Sequence, residues 1–170
     1  MPKKVLFISH DASRTGAPII LLNFLRWFRD KANIPFRVIM REGGELLPEF
    51  QALAQVDVLN RKKVSGNGLC TRLFTHPRIL AVRNRVYLNN LRNQLRRDNI
   101  GLIYSNTVTN GEVLESLASL NCPVITHVHE LECGIRYTPS DTFESVKNFT
   151  NRYIAVSQAV KNNLVHNHQI

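Results

Sequence analysis

Six short apolar runs, separated by segments of helical periodicity, constrain this chain more than any other feature. They are Val5–Ser9, Phe36–Met40, Val56–Leu59, Gly101–Ser105, Pro123–Val128 and Tyr153–Val156. A short apolar run bounded by polar, Gly or Pro residues reads as a buried strand. The segments between them read as helices: Ile19 to Lys31 with Pro18 allowed in its first turn, Glu45 to Leu53 after a Gly43-Gly44 turn, and Pro77 to Asp98. Three more follow, over Glu112 to Leu120, Asp141 to Phe149 and Gln158 to Val165. Thr109 or Asn110 can cap the fourth helix and Ser157 the last, and the residues between His129 and Asp141, with Gly134 and Pro139, read as a loop. Strands that alternate with helices pair in parallel, because each connection must cross back over the sheet. The expected architecture is therefore α/β, a Rossmann-like doubly wound parallel sheet in three α/β/α layers.

A length of 170 residues suits one domain with a real core, and 44% hydrophobic residues is ordinary for a globular chain. No apolar run approaches the ~20 residues that span a bilayer. The apolar stretch between Lys4 and His10 is too short for a signal-peptide core, so a cytoplasmic location is expected. Cys70, Cys122 and Cys133 are odd in number and widely scattered. That pattern fits reduced thiols rather than a disulfide framework or a metal site, with Cys133 in the loop open to solvent. The chain stops at Ile170 just after a strand and a helix, which fits either a natural terminus or a domain boundary.

The net charge of +9 is concentrated in one segment. Residues 61–98 hold ten Lys/Arg and one acid, Asp98, whereas the remainder is balanced at 12 Lys/Arg and 12 acids. At ~100° per residue, Arg78, Arg85, Arg92 and Arg96 share a narrow helical stripe. Leu80, Tyr87, Leu88, Leu91 and Leu95 lie roughly opposite. The stripe reads either as a solvated face or as a contact for an anionic membrane surface. Nucleic acid is not expected, since no aromatic residues interleave with the arginines.

The carboxyl edge of a parallel sheet is where open α/β folds bind ligands. Asp11 to Gly16, Asn106 and Thr107, His129 and Glu130, and Ser157 all follow strands and converge there. The loop from Asp11 to Pro18 enters a helix start, where free backbone N–H groups and the helix dipole favour an anion such as phosphate. It carries a single glycine, Gly16, so neither the G-x-G-x-x-G fingerprint nor a P-loop is present. Without those glycines, Glu42 after the second strand reads as a turn or surface residue rather than a ribose ligand. Thr107, Thr109 and Ser157 read first as helix caps, and His127 as a packed, hydrogen-bonded strand residue. His129 differs, because it leaves the strand into an acid and a loop, where an imidazole can meet a ligand. No nucleophile elbow, cysteine–histidine pair or metal-ligand spacing occurs, so the chain shows no complete catalytic set.

Three stretches together resemble the N-terminal domain of group 1 (family 4) glycosyltransferases of the GT-B fold. They are Val5 to Pro18 with its helix, Ile125 to Val128 ending in His129-Glu130-Leu131, and Tyr153 to Ser157 followed by Ala159, Val160 and Leu164. The resemblance covers the whole chain but only the first half of such an enzyme. It implies an acceptor-side domain, residues 1–170, whose C-terminal nucleotide-sugar domain lies outside this chain. It implies transfer, with retention, from a nucleotide-sugar donor to a glycan or lipid-linked acceptor, with no metal and no cofactor beyond the substrate. It assigns donor contact to Thr15, Gly16 and Ala17 and a catalytic role to His129; Asn106 and Glu130, which follow strands at the same edge, are expected to contact substrate or donor. It also suits a peripheral place at the inner membrane face for the arginine stripe. The competing reading from the residues is a stand-alone α/β domain that holds a phosphorylated small molecule without catalysis.

Overall fold

The computed structural model describes residues 2–60, 87 and 89–170. The chain begins with β1 (Lys4–Ser9), α1 (Gly16–Lys31), β2 (Phe36–Glu42), α2 (Leu47–Gln51) and β3 (Gln55–Asn60). A helix over residues 89–97, α3, leads into β4 (Ile100–Asn106). Then come α4 (Gly111–Leu117), β5 (Val124–Val128), α5 (Glu132–Tyr137), α6 (Ser140–Phe149), β6 (Arg152–Ala155) and α7 (Gln158–His168). The strands form one sheet in the order β3-β2-β1-β4-β5-β6, and every pairing is parallel. The order reverses between β1 and β4, which makes the sheet Rossmann-like and doubly wound, as expected.

The strand residues alternate between two cores. Phe7, Val38, Met40 and Val58 face α1 and α2 through Leu21, Leu22, Leu25 and Phe50. Leu6, Ile8, Ile39 and Ile103 face the opposite layer through Leu91, Leu95, Leu114, Val146 and Leu164. Burying a side chain of this kind contributes about 1.5–3 kcal/mol, so both layers must be covered for the sheet to persist. Phe7 anchors the first layer, with Phe24, Phe28, Phe36 and Tyr104 packed on it at centroid distances of 5.3–6.0 Å. On the α1 side, β6 is less covered, and Ile154 and the following Val156 are exposed.

Two contacts set where the layers and loops lie. A Cβ on Gly44 would overlap the backbone of Ala12, so the turn after β2 can seat the loop after β1 only with glycine there. The seating is completed by Leu46 N–H donating to Ala12 O at 2.8 Å and Glu42 N–H to His10 O at 3.0 Å. A Cβ on Gly111 would overlap the Thr142 carbonyl, so α4 and α6 approach closely only through that residue.

The structure departs from the sequence expectations in a few places. Helix α1 starts at Gly16 rather than near Ile19, because Thr15 O already accepts the Ile19 N–H at 3.1 Å. The region after Glu130 is not all loop: α5 occupies it, buries Ile135 and is braced by Arg136 to Glu132 at 2.8 Å. Cys133 therefore sits on a helix, though exposed as expected, and Cys122 is half-buried with its thiol donating to Ile100 O at 3.0 Å. Neither Thr109 nor Asn110 caps α4. The Thr107 hydroxyl instead accepts from Thr109 N–H across a short 3-10 turn, and Asn110 is buried. Ser157 does cap α7, accepting the Val160 N–H at 3.3 Å. The start of the third helix at Pro77, Cys70, and the stripe residues Arg78 and Arg85 lie outside the described residues.

Candidate functional site

The site assembles where β1, β4 and β5 end. After β1 the chain turns on Asp11, whose carboxylate takes the Ser13 N–H at 3.1 Å and the Ser13 hydroxyl at 2.9 Å. Ser13 and Thr15 join hydroxyls at 2.8 Å, so the Thr15 side chain is spent on the loop and does not cap α1. No acidic residue stands in the first turn of α1. The first-turn N–H groups of a helix have no intrahelical partner, and here neither cap nor acid takes them. Gly16 is exposed, and a Cβ built on it meets nothing within 4 Å. The helix therefore presents an open, positively polarised end at the sheet's carboxyl edge.

Strands β4 and β5 deliver the other groups. Asn106, the last residue of β4, is fully buried. Its amide donates to Ala17 O at 2.9 Å, and its carbonyl side meets His129 Nε2 at 2.8 Å. One side chain thus ties the first turn of α1 to the residue that leaves β5. His129 also packs against His127, with ring centroids 4.2 Å apart and the planes tilted by 41°. His127 in turn shares a 2.7 Å hydrogen bond with the Tyr104 hydroxyl, which fits its expected place as a bonded strand residue.

Burial sets the charge of this cluster. Desolvation, with His127 and His10 nearby, lowers His129 to about 4, so the ring is neutral at pH 7. Burial likewise lowers His127 and pushes the Tyr104 phenol up to about 12. Burial raises Glu130 as well, opposed by the backbone N–H groups of His129, Glu130 and Val108 that point at its carboxylate. The His129 N–H reaches Glu130 Oε2 at 3.0 Å, so this acid is folded back on the exit of β5.

The strand exit at β4 is strained. Thr107 has φ of 117°, a region that a β-branched residue seldom occupies. Its N–H donates to His127 O at 2.9 Å, which holds the β4 and β5 exits together.

Of the residues singled out from the sequence, Ala17, Asn106, His129 and Glu130 come together, with Thr15 and Gly16 at the adjoining helix start. His10 was passed over, yet it follows β1 as His129 follows β5, and that shared register was the available signal. Its Nε2 lies 3.4 Å from Asp11 Oδ1, while its Nδ1 is sequestered without a partner among the described residues. Tyr104 and His127 belong to the cluster through register: Tyr104 pairs with Ile125 and Asn106 with His127, so the two strands bring these residues side by side. The described members of the arginine stripe, Arg92 and Arg96, lie on α3 and not in this cluster. Arg96 is exposed and reaches Ser119 O at 3.5 Å, whereas Arg92 is half-buried and donates to Asn89 within its own helix. Leu91 and Leu95 are in the core, as the periodicity implied. Among the described residues, no group of three or more His, Cys, Asp or Glu is placed to hold a metal ion, and no helix is long and apolar enough to cross a membrane.

No protein-family model matches the sequence, and no curated sequence matches it at a significant level. Solved structures do match its fold. HepE from Anabaena, solved in complex with UDP, aligns over 97% of this chain with a TM-score of 0.60 and 17% identity. The lipopolysaccharide outer core galactosyltransferase WaaB in its apo form aligns over 97%, with a TM-score of 0.65 and 10% identity. A glycosyltransferase from Rickettsia africae aligns over 99%, with a TM-score of 0.61 and 15% identity. At these identities the likeness is one of fold. This chain spans 40–42% of the length of those proteins, so its sheet corresponds to one part of each.

Proposed function

We propose that this chain is the N-terminal, acceptor-side half of a retaining GT-B glycosyltransferase that uses a nucleotide-sugar donor. The observation that carries the reading is the bridge made by Asn106, which joins an uncapped, acid-free helix start to a neutral histidine at the end of β5. A nucleotide-sugar has a diphosphate beside a sugar rich in hydroxyls. The start of α1, with Thr15, Gly16 and Ala17, suits the diphosphate, because free N–H groups and the helix dipole attract negative charge. His129 suits the sugar, because a neutral imidazole can hydrogen-bond a hydroxyl near the reacting carbon without adding charge. No basic pair for the diphosphate joins this cluster among the described residues. In this reading a second α/β domain supplies it and closes the cleft, and the short span relative to the structural neighbours accords with that.

The acceptor in this reading is a glycan or a lipid-linked glycan, and the protein works in the cytoplasm without metal or cofactor. The arginine stripe of residues 78–96 would then hold the domain against an anionic membrane face. The test is release of nucleoside diphosphate from a panel of UDP-, GDP- and ADP-sugars. It compares the 170-residue chain with the protein carrying any sequence that follows Ile170 in its gene. Release is expected from the longer protein and not from the shorter. Sustained turnover by the 170-residue chain alone would overturn the half-enzyme reading.

A further inference from the structure

We infer that Asn106 is a positioning residue for His129: it holds the ring as the Nε2–H tautomer and leaves Nδ1 as a hydrogen-bond acceptor at the sheet edge. The argument rests on which atoms can donate. The Ala17 carbonyl can only accept, and it lies 2.9 Å from the Asn106 amide. The Asn106 atom facing it must therefore be the NH2 group, which leaves Oδ1 turned toward His129 Nε2 at 2.8 Å. Oδ1 also only accepts. His129 Nε2 must then carry the hydrogen, and in a neutral imidazole the other nitrogen keeps its lone pair. His129 Nδ1 takes no partner among the described residues and is not among the sequestered, unpaired atoms. It is open to a ligand as an acceptor.

Asn106 cannot easily serve the donor directly, since it is fully buried and both ends of its amide are occupied within the protein. This differs from the substrate or donor contact expected of it from its place at the end of a strand. Its effect on chemistry passes through His129 and through the position of the α1 start. The consequence for the ligand is a division of labour. A lone pair on Nδ1 accepts from a hydroxyl and repels a phosphate oxygen. The group that meets His129 is therefore a hydroxyl, while phosphate is left to the N–H groups of α1. The choice of hydroxyl rests on the proposed function; the tautomer does not.

The test is a long-range 15N–1H correlation of the histidine side chains in the labelled 170-residue chain, with His129 assigned by its loss in His129→Gln. The parental protein is expected to show His129 as a single neutral Nε2–H tautomer from pH 5.5 to 8. Asn106→Ala should let the ring exchange between tautomers. Asn106→Asp places a carboxylate beside Nε2 and should raise the proton affinity of the ring at least about tenfold. A merely structural Asn106 would change stability and leave the tautomer and titration of His129 unmoved. An Nδ1–H or tautomer-averaged parental spectrum overturns the inference without any variant, even if Asn106 substitutions fail to fold. So does an unchanged His129 signal in a folded Asn106→Ala. The readout needs no transfer activity. Failure of the glycosyltransferase reading would show as absent transfer with the Nε2–H tautomer intact.

Discussion

Replacing Arg37 with Met should remove more stability than any single change on the exposed surface, and the structure shows why. Arg37 is the second residue of β2, and its side chain is only 4% exposed. Its guanidinium donates to Asp57 Oδ2 and Asp98 Oδ2, both at 2.7 Å, and to Gln94 Oε1 at 3.0 Å. It links β2, β3 and the end of α3 at the edge of the sheet away from the candidate site. Burial disfavours its charge, but the hydrogen bonds it donates to the two carboxylates, with their negative charge, more than offset that and hold the guanidinium above its ordinary pKa. Breaking a buried pair costs about 3–5 kcal/mol, because the partner is left charged and unpaired. Two features place Arg37→Met near the lower bound. Asp98 keeps Lys4 at 2.5 Å, and Asp57 retains 15% exposure to water. The expected loss is about 3 kcal/mol, equivalent to about 6–12 °C in Tm for a domain of this size.

Urea unfolding followed by circular dichroism measures the loss of stability directly. Adding Asp57→Leu should restore part of it, since the stranded carboxylate is removed. The pH dependence follows from Asp98. Burial raises its pKa, but the Lys4 and Arg37 hydrogen bonds dominate and hold it below 3.8. Its contribution is then present above the unfolded value and lost as pH falls through the folded one. The gap between parent and variant should narrow below about pH 4. A variant within about 1 kcal/mol of the parent at pH 7 would refute the claim that this network holds the three elements together.

The two glycines flanking the β1 loop should behave oppositely. Gly16→Ala meets open space and should leave stability unchanged or raise it by up to about 1 kcal/mol while weakening nucleotide binding, whereas Gly44→Ala must displace Ala12 and should cost about 1–3 kcal/mol in urea unfolding. His129 is lowered from 6.5 to about 4, so the unfolded chain takes up the proton first as pH falls. Stability should drop between pH 6.5 and 4 by about 1–2 kcal/mol from this ring, allowing for solvent around a half-buried group, and a His129→Gln variant unfolded in urea across that range should show a shallower slope. Binding to anionic liposomes should weaken steeply between low salt and 0.5 M salt and fall further when Arg78, Arg85, Arg92 and Arg96 are changed to Gln; co-sedimentation equal to the parent's would make the stripe a solvated face.

The sheet was legible because its signal is local. Buried parallel strands are short apolar runs, and each of the six lies within two residues of its expected bounds. The alternation with helices then leaves few topologies, and right-handed crossovers select a doubly wound sheet. The carboxyl edge was legible for the same reason, since residues that follow strands must converge there. Helix α5 was missed because Gly134 and Pro139 mark a turn locally, whereas the helix is held by Ile135 in the core and by Glu132, which meets both Arg136 and His168 at 2.8 Å.

Sequence alone thus determined the class of the fold, the edge where the candidate residues converge and the segment that carries the charge, all consequences of periodicity and order along the chain. Only the tertiary structure decided how the edge residues act. Asn106 reads identically whether it faces a ligand or the protein, and its burial between Ala17 and His129 settles that its amide is spent inward. Glu130 reads as a free acid until its carboxylate is seen to fold back on the backbone N–H groups around it. His129 reads as a titratable ring until burial makes it neutral and one neighbour chooses its tautomer. The physical reason is common to all three. Hydrogen-bond direction and desolvation depend on atoms brought together from β1, β4, β5 and the start of α1, across about 90 residues of chain between Ala17 and Asn106 alone.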